Sequence, residues 1–454
     1  MVLPGKVSSL ISRLQAAGYS AYAVGGCVRD TLLGRTPKDW DLCTSALPEQ
    51  MQAVFAGEHV LETGLKHGTL TVILDHEPFE ITTYRVDGAY TDHRHPSSVC
   101  FVDQIDQDLA RRDFTVNAMA CDGNGEILDL YGGKQDLARK QIRCVGEPSL
   151  RFEEDALRIL RALRFASDLD FQIDPETDQA IRTLYPSLSR IAAERIRVEL
   201  LKMLCGDGVG RILREYPEVI TFLIPALKPA IGYCQDNPHH LYTLWEHTVR
   251  AVEGVPPDPT LRFAMLMHDT GKPLARVTDA HGIGHYQGHP VLSARLAAET
   301  MDRLRFDRAM SQRVQKLVEA HDIPLSTERK MLLRRLSQYG EEDLRDLFKI
   351  HLADRIATGT RNPDHARDHF RDLNEALDAL MAEKPCFTLK DLCINGRDLT
   401  ELGYRGKEIG ETLNELLNQV LEEKIPNDRD SLMKALRELP VPGCGKPEKS
   451  VRET

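Results

Sequence analysis

A mixed α/β head followed by helices alone is the architecture this sequence predicts, and three observations carry it. Over the first ~135 residues, short β-rich runs alternate with short helical patterns and stop at Gly or Pro. After about Asp136 the apolar spacing turns helical and stays so to about Leu439. The chain has 454 residues, 42% hydrophobic and 28% charged, enough to bury several cores, and no apolar run approaches the ~18 residues of a membrane helix. The expected molecule is elongated and multidomain: a head over 1–138, a helical neck over 139–230, a histidine-rich helical body over 231–362, a helical tail over 363–440 and a disordered end over 441–454.

The elements follow in order. Val7 to Ala17 has helical apolar spacing at Leu10, Ile11 and Leu14 and stops at Gly18. Tyr22 to Val24 reads as a short strand running into Gly25-Gly26, with a short helix from Val28 to Leu33 that ends at Gly34. Lys38 to Cys43 reads as a second strand, and Pro48 opens a helix. Leu70–Leu74 and Phe79–Tyr84 form a hairpin across Asp75 to Pro78, and the polar stretch Arg85 to Val99 reads as a mobile loop. Glu153–Phe165 and Ala192–Leu204 are strong helix patterns. Helices from His239 to about Thr358 carry a high density of His, and those from Asp364 to Leu439 are interrupted at Gly403, Gly406 and Gly410.

Charge narrows the function. With 58 Lys+Arg against 69 Asp+Glu, a net −11, the chain is not a bulk electrostatic nucleic-acid binder or a membrane-surface protein. A local basic face remains open to RNA: Arg139 to Tyr216 holds 14 Lys/Arg against 13 Asp/Glu, the least acidic large segment. Ten Cys with no CxxC pair exclude a zinc knuckle or a disulfide framework. No signal pattern opens the chain, so the expected compartment is the cytoplasm, without membrane contact and as a monomer or homodimer.

Residues 25–41 read GGCVRDTLLGRTPKDWD. A Gly pair between strand and helix lets the backbone approach a phosphate, and Arg29, one turn into the helix, reaches the same space. Asp39 and Asp41 at i and i+2 of a strand point to one face. Two carboxylates there repel each other unless a cation lies between them, which is the requirement for Mg²⁺-dependent phosphoryl or nucleotidyl transfer.

This combination, continued by Thr44 to Pro48, Lys66 to Thr69 and Arg111 to Ala118, resembles the polymerase-β-type nucleotidyltransferases. Within them it resembles the bacterial class II tRNA nucleotidyltransferases, the CCA-adding enzymes, with bacterial poly(A) polymerases as close kin. The resemblance covers roughly residues 20–215 with specific motifs and the rest more loosely. It implies Asp39 and Asp41 as catalytic ligands of Mg²⁺, with Gly26, Arg29 and Arg112 on the triphosphate, and tRNA, CTP and ATP as partners. It also implies that Asp155 and Arg158, in EEDALRILRALR (153–164), read the incoming base, aided by Arg161 and Arg164. The chemistry suits them: Asp accepts and Arg donates, which fits the amine-beside-ring-nitrogen edge of cytosine and adenine and rejects uracil and guanine. Arg85 to Pro96 lies where these enzymes keep a loop needed for the terminal A. The segment Asn395 to Leu417 resembles their tail, with Arg405 and Lys407 as candidate phosphate contacts.

The third constellation is His247, His268-Asp269 and Asp354, each on or at the end of a helical pattern. The order H…HD…D resembles the HD superfamily of metal-dependent phosphohydrolases. His and carboxylate donors together suit Ni²⁺, Mn²⁺ or another octahedral divalent ion. His285, His289 and His321 in the same region are candidates to position phosphate or complete a second metal site. Three functions follow: CCA addition to tRNA, with accessory hydrolysis of RNA 3′ or cyclic phosphates; A-addition or poly(A) synthesis; and, from another class, an HD phosphohydrolase whose head only binds RNA.

Overall fold

The structure is a computed structural model and describes residues 1–88, 99–237, 240–359 and 362–438. A seven-stranded sheet organises the head, in the order β3-β4-β5-β2-β1-β8-β9. Its strands are β1 (Ala21–Val24), β2 (Leu42–Thr44), β3 (His59–Gly64), β4 (Thr69–Leu74), β5 (Glu77–Thr83), β8 (Met119–Cys121) and β9 (Ile127–Asp129), while β6 (Arg85–Asp87) and β7 (Val99–Phe101) form a separate ribbon. Parallel pairing of β2 with β5 puts Leu42 against Ile81 and Thr44 against Thr83. Five head helices accompany them: α1 (Gly5–Ala16), α2 (Gly26–Leu32), α3 (Pro48–Val54), α4 (Ile105–Ala110) and α5 (Gly133–Arg139). The apolar stripe of α1 is buried at Val7, Leu10, Ile11 and Leu14, as its spacing requires.

Beyond residue 140 helices dominate. The neck contains α6 (Pro148–Glu154), α7 (Leu157–Leu169), α8 (Pro175–Leu184), α9 (Ala193–Leu204), α10 (Val209–Glu215) and α11 (Pro217–Leu223). The body contains α12 (Leu244–Gly254), α13 (Pro259–Met267), α14 (Lys272–Ala275), α15 (His289–Arg303), α16 (Arg308–Glu319), α17 (Arg329–Tyr339) and α18 (Glu341–Ala357). The tail is α19 (Pro363–Ala382), α20 (Gly396–Glu401), α21 (Lys407–Leu421) and α22 (Arg429–Glu438). One apolar core runs without a break from Val7 through neck and body to Ala357, and a second, from Leu332 to Leu436, holds the tail. Helix α18 belongs to both, with Leu347, Ile350 and Ala353 in the first and Leu344 and Phe348 in the second. No helix among the described residues is long and apolar enough to cross a membrane.

Four local expectations change. The hairpin loop is tighter than read: Asp75 and His76 alone make the turn, both at positive φ (47° and 66°), as a two-residue hairpin turn of the right twist requires. The strand expected over Lys38 to Cys43 starts only at Leu42. Of the segment before it, the Asp41 carbonyl still accepts from Val24 N–H (2.9 Å), but Asp39 lies outside the ladder. The ends of the loop expected from Arg85 to Val99 pair as β6 and β7, with Arg85 opposite Phe101, while its centre lies outside the described residues, as does the end expected to be disordered from Val441. The helix expected from Glu153 to Phe165 is two helices. Asp155 is extended (φ −139°, ψ 103°), and its Oδ1 accepts the Leu157 N–H (3.0 Å), a local bond that competes with helix continuation.

Candidate active site

The strand-to-helix turn after β1 places the glycines. Gly25 has φ 82° and ψ −128°, a region closed to other residues, and a Cβ there would stand 3.0 Å from an Arg112 guanidinium nitrogen. Glycine thus lets Arg112 close over the turn, with Gly26 beginning α2. Arg112 and Arg111 both donate to Asp108, which is fully buried (Arg112 Nη2 to Oδ2 3.2 Å; Arg111 Nη2 to Oδ1 2.8 Å). Burial alone would raise the Asp108 carboxyl, but the two guanidiniums hold it below its usual range. Arg112 Nε is buried without a partner.

Asp41 has its carboxyl pushed up to about 6, first by desolvation, then by the negative charges of Asp39 and Glu80, with Arg112 opposing. Glu80 comes from β5, one residue before the Leu42–Ile81 pair, so the parallel register carries it alongside Asp41. The charges of Asp39 and Glu80 thus act on Asp41, and a divalent cation relieves that repulsion; oxygen-only donors suit a hard ion. Glu80 was invisible in the sequence, because only the pairing of β5 with β2 brings it there.

A chain of bonds runs from Arg29, on the helix that follows the glycine turn, into the neck. Arg29 Nη1 donates to Asn117 Oδ1 (2.6 Å), Asn117 Nδ2 to Asp113 Oδ1 (3.2 Å), and Arg161 Nε to Asp113 Oδ2 (2.8 Å). Glu199 of α9, buried, then pairs with Arg161 (3.4 Å) and Arg164 (3.2 Å). Arg164 also stacks on Phe165, its guanidinium carbon 4.0 Å from the ring centroid. Desolvation would raise Asp113, but Arg161 and Asn117 take it down to about 2.

Asp155 and Arg158 line one cleft of about 520 Å³ together with Arg161, Arg195 and Glu199. They are joined only through the backbone, Arg158 N–H donating to the Asp155 carbonyl (2.9 Å), and their side chains turn to other partners. Asp155 Oδ2 accepts from Arg195 Nη2 (2.8 Å), while Arg158 donates to Glu154 Oε2 (2.5 Å) and to the Arg111 carbonyl (3.0 Å), joining neck to head. Of the arginines expected as one stripe, Arg158 and Arg164 are buried and Arg161 half-buried, each fixed by an acidic partner. Arg195 and Glu199, four apart on α9, were missed, although i,i+4 spacing in ERIRVE was the available signal.

In the body, α12, α13 and α18 converge. His247, His268, Asp269 and Asp354 offer ligand atoms within 4.8 Å of one another, and Asp269, His289 and His321 form a second such group. His247 Nε2 lies 3.0 Å from Asp354 Oδ1 and 3.1 Å from both Asp269 Oδ2 and His268 Nε2. His268 Nδ1–H donates to the Met265 carbonyl (2.7 Å), which leaves Nε2 as the ligand nitrogen in the neutral ring. Burial disfavours charge on His268, yet Asp269 and Asp354 hold it up to about 10. Such a negative well suits a divalent cation, and the mixed His and carboxylate donors fit one. His285 stands apart, exposed, with Nε2 on Asp279 (2.9 Å). In the tail Lys407 is exposed and pairs with Glu411 (2.9 Å), and Arg405 is exposed.

A mixed sheet whose glycine turn stands by Arg112 and the mutually repelling Asp39 and Asp41, with an arginine-lined cleft in the neck, defines a nucleotidyltransferase. Comparison with known proteins agrees. Residues 21–143 match the poly A polymerase head domain, 170–229 the probable RNA and SrmB- binding site of polymerase A, and 292–436 the putative tRNA nucleotidyltransferase domain 2. The chain is 34% identical to a CCA-adding enzyme of Levilactobacillus brevis over 94% of its own length and 96% of that protein, and 33% identical to one of Lactobacillus helveticus over 96% and 97%. Its structure is similar to that of the Bacillus stearothermophilus CCA-adding enzyme in complex with CTP (TM-score 0.69, 28% identity, covering 96% of this chain and 99% of that one). The chain belongs to the family of CCA-adding enzymes.

Proposed function

We propose that this protein adds CCA to the 3′ end of tRNA in the cytoplasm, from CTP and ATP and without a nucleic-acid template. The observation that carries the reading is the bonded framework that fixes the Asp155–Arg158 cleft to the head, Arg158 on the Arg111 carbonyl and Arg161 on Asp113, together with the negative charges of Asp39 and Glu80 acting on Asp41. Asp39 and Asp41 hold divalent ions, Mg²⁺ in this reading, which when bound supply the charge that eases ionisation of the RNA 3′-hydroxyl and offsets charge on the α-phosphate. Gly26 and Arg29 bind the triphosphate, and Arg112, fixed by Asp108, lends positive charge beside Asp41. Asp155 accepts the exocyclic amine of cytosine or adenine, and Arg158 donates to the ring nitrogen. Arg195 orients Asp155, Arg161 ties the neck to the head through Asp113, and Arg161 and Arg164 lend positive charge to the bound nucleotide. The neck and the tail helices bind tRNA along its backbone.

The test is incubation with Mg²⁺, CTP, ATP and a tRNA lacking its 3′ end, followed by sequencing of the products. Ordered addition of C, C and A is expected. A homopolymeric A tail would instead make the protein a poly(A) polymerase, and no incorporation would leave the head a binding module. Asp41→Asn is expected to lower incorporation by about 10³-fold or more, the loss of several kcal/mol of transition-state stabilisation.

A second activity rests on the body cluster. His247, His268, Asp269 and Asp354 hold one divalent ion such as Ni²⁺ or Mn²⁺ and serve hydrolysis of phosphate esters, with RNA 3′ or cyclic phosphates as the class relevant to tRNA repair. Hydrolysis by the purified chain with Ni²⁺ or Mn²⁺, absent in His268→Ala, is the expected result.

A further inference from the structure

We infer that Phe165 is a positioning residue for nucleotide binding: its ring holds Arg29 at a distance from the base cleft that helix α7 sets. The inference rests on the reading that Arg29 binds the triphosphate.

Phe165 stands where neck meets head. It lies on α7, seven residues after Arg158, so about 10 Å of helix separates the ring from the base cleft. The ring is 5% exposed. Phe114 of the head, fully buried, meets it edge-on, with centroids 5.7 Å apart and planes at 76°. Phe114 directly follows Arg111, Arg112 and Asp113, so the aromatic pair joins α7 to the head segment that carries Arg112.

Three guanidiniums gather over this one ring. The carbons of Arg29 and Arg161 lie 5.2 Å from its centroid and that of Arg164 lies 4.0 Å away. Arg161 and Arg164 share α7 with the ring, four residues and one residue before it, and reach it by helix geometry. Arg29 comes from α2 in the head and reaches it only because the domains pack. Three like charges repel, and two things offset that. Each has an acidic partner, Asp30 on Arg29 (2.7 Å), Asp113 on Arg161 (2.7 Å) and Glu199 on Arg164 (3.2 Å). The ring's negative faces supply the rest.

The contacts of Arg29 divide the work. Its Nε donates to Asp30 Oδ1 (2.8 Å) and its Nη1 to Asn117 Oδ1 (2.6 Å). Such bonds run in the guanidinium plane and fix its edge, while the face of the group is left to an aromatic partner. Asp30 and Asn117 belong to the head, so of these three contacts the ring alone comes from the neck. The Arg29 side chain is 12% exposed, so water weakens the contact little. Held this way, Arg29 meets a triphosphate without first losing side-chain freedom. The triphosphate is common to CTP and ATP, and it is bound before and during the reaction. Loss of the ring therefore weakens both nucleotides alike, in KM rather than kcat, and leaves base selectivity in place. A ring that served packing alone would behave differently: its removal would loosen α7, and selectivity at Arg158 would fall together with the melting temperature.

The test is steady-state incorporation by the full chain, with CTP and ATP in turn on tRNA ending just before the C or the A, and with UTP and GTP as competitors. Phe165→Leu is expected to raise KM for CTP and for ATP by about 10-fold, the worth of one desolvated cation–π contact, with kcat and the preference against UTP and GTP unchanged. Mono-, di- and trifluorophenylalanine placed at position 165 keep the ring's shape while draining its negative face, and are expected to raise KM stepwise. In an Arg29→Ala background, Phe165→Leu is expected to add nothing. A flat fluorinated series overturns the proposal even if Phe165→Leu fails to fold, and so does a Phe165→Leu protein that loses selectivity with KM unmoved. Arg29→Ala with unchanged KM overturns the triphosphate reading itself, whereas a flat series beside an impaired Arg29→Ala removes only the role of Phe165.

Discussion

At the scale of single residues, acidic side chains decide what the arginines can do. Asp113 is the clearest case, a carboxylate held down to about 2 against an ordinary 3.8 and bonded to Arg161 at 2.7 Å. Because its folded value is depressed, its contribution is present above the unfolded value and is lost as pH falls through about 4 towards 2. That contribution is about 2 kcal/mol. Urea unfolding followed at pH 7 and pH 3 is expected to show Asp113→Asn destabilised at pH 7, with the gap to the parent cut by about half at pH 3. An equal gap at both pH values would refute the assignment. The sequence exposed the arginines and Asp155 by their spacing, but it concealed their partners. Asp113 and Glu199 lie 48 and 38 residues from Arg161, and nothing local marks a residue whose role depends on a contact that distant.

At the scale of elements, the break between α6 and α7 has the most consequence. A continuous helix would set Asp155 and Arg158 one turn apart on one side. The extended backbone at Asp155 instead turns its carboxylate both to the start of α7 and to Arg195 on α9. Two jobs, capping and base recognition, then fall on one side chain and can be separated. Asn keeps an oxygen for the Leu157 N–H, so Asp155→Asn is expected to stay within about 0.5 kcal/mol of the parent in stability, while Asp155→Ala loses about 1 kcal/mol. Both are expected to erode the preference for CTP and ATP over UTP and GTP, by about 10-fold or more, since each removes the acceptor-only edge. Competition kinetics with the four nucleotides beside thermal melts check it. Unchanged selectivity in both variants removes Asp155 from base reading. Long periodic helices such as α1 and α9 were legible, and so was the α13 run closing on His268. The three-residue strands β8 and β9 were not, because a period of two cannot declare itself in three residues. The helix break was hidden because no Gly or Pro marks it: Glu153-Glu154-Asp155 reads as the polar first turn of the apolar run at Leu157, Leu160 and Leu163.

At the scale of the whole molecule, the body and tail cores are coupled through α18 and its neighbour α17, whose Tyr339 packs against both. Head, neck and body share an unbroken interior, so Arg158 on α7 and Asp354 on α18 stand in one mechanical unit. The tail has its own interior but borrows α18 for part of it, burying Leu344 and Phe348 there. That helix also delivers Asp354 to the body cluster, six residues beyond Phe348. A tail core resting on a helix of the body cannot loosen without loosening the cluster. Phe348 is 1% exposed, and Phe348→Ala leaves a cavity costing about 3–5 kcal/mol. Calorimetry is expected to show the main transition, not only a minor tail transition, move down by several degrees. Mn²⁺ affinity of the body is expected to weaken, since Phe348 lies on the helix that carries Asp354 and lines a cavity with it. If only a separate low-temperature step shifts and Mn²⁺ binding holds, the tail is an independent module, and α18 carries no coupling between the RNA-binding helices and the body.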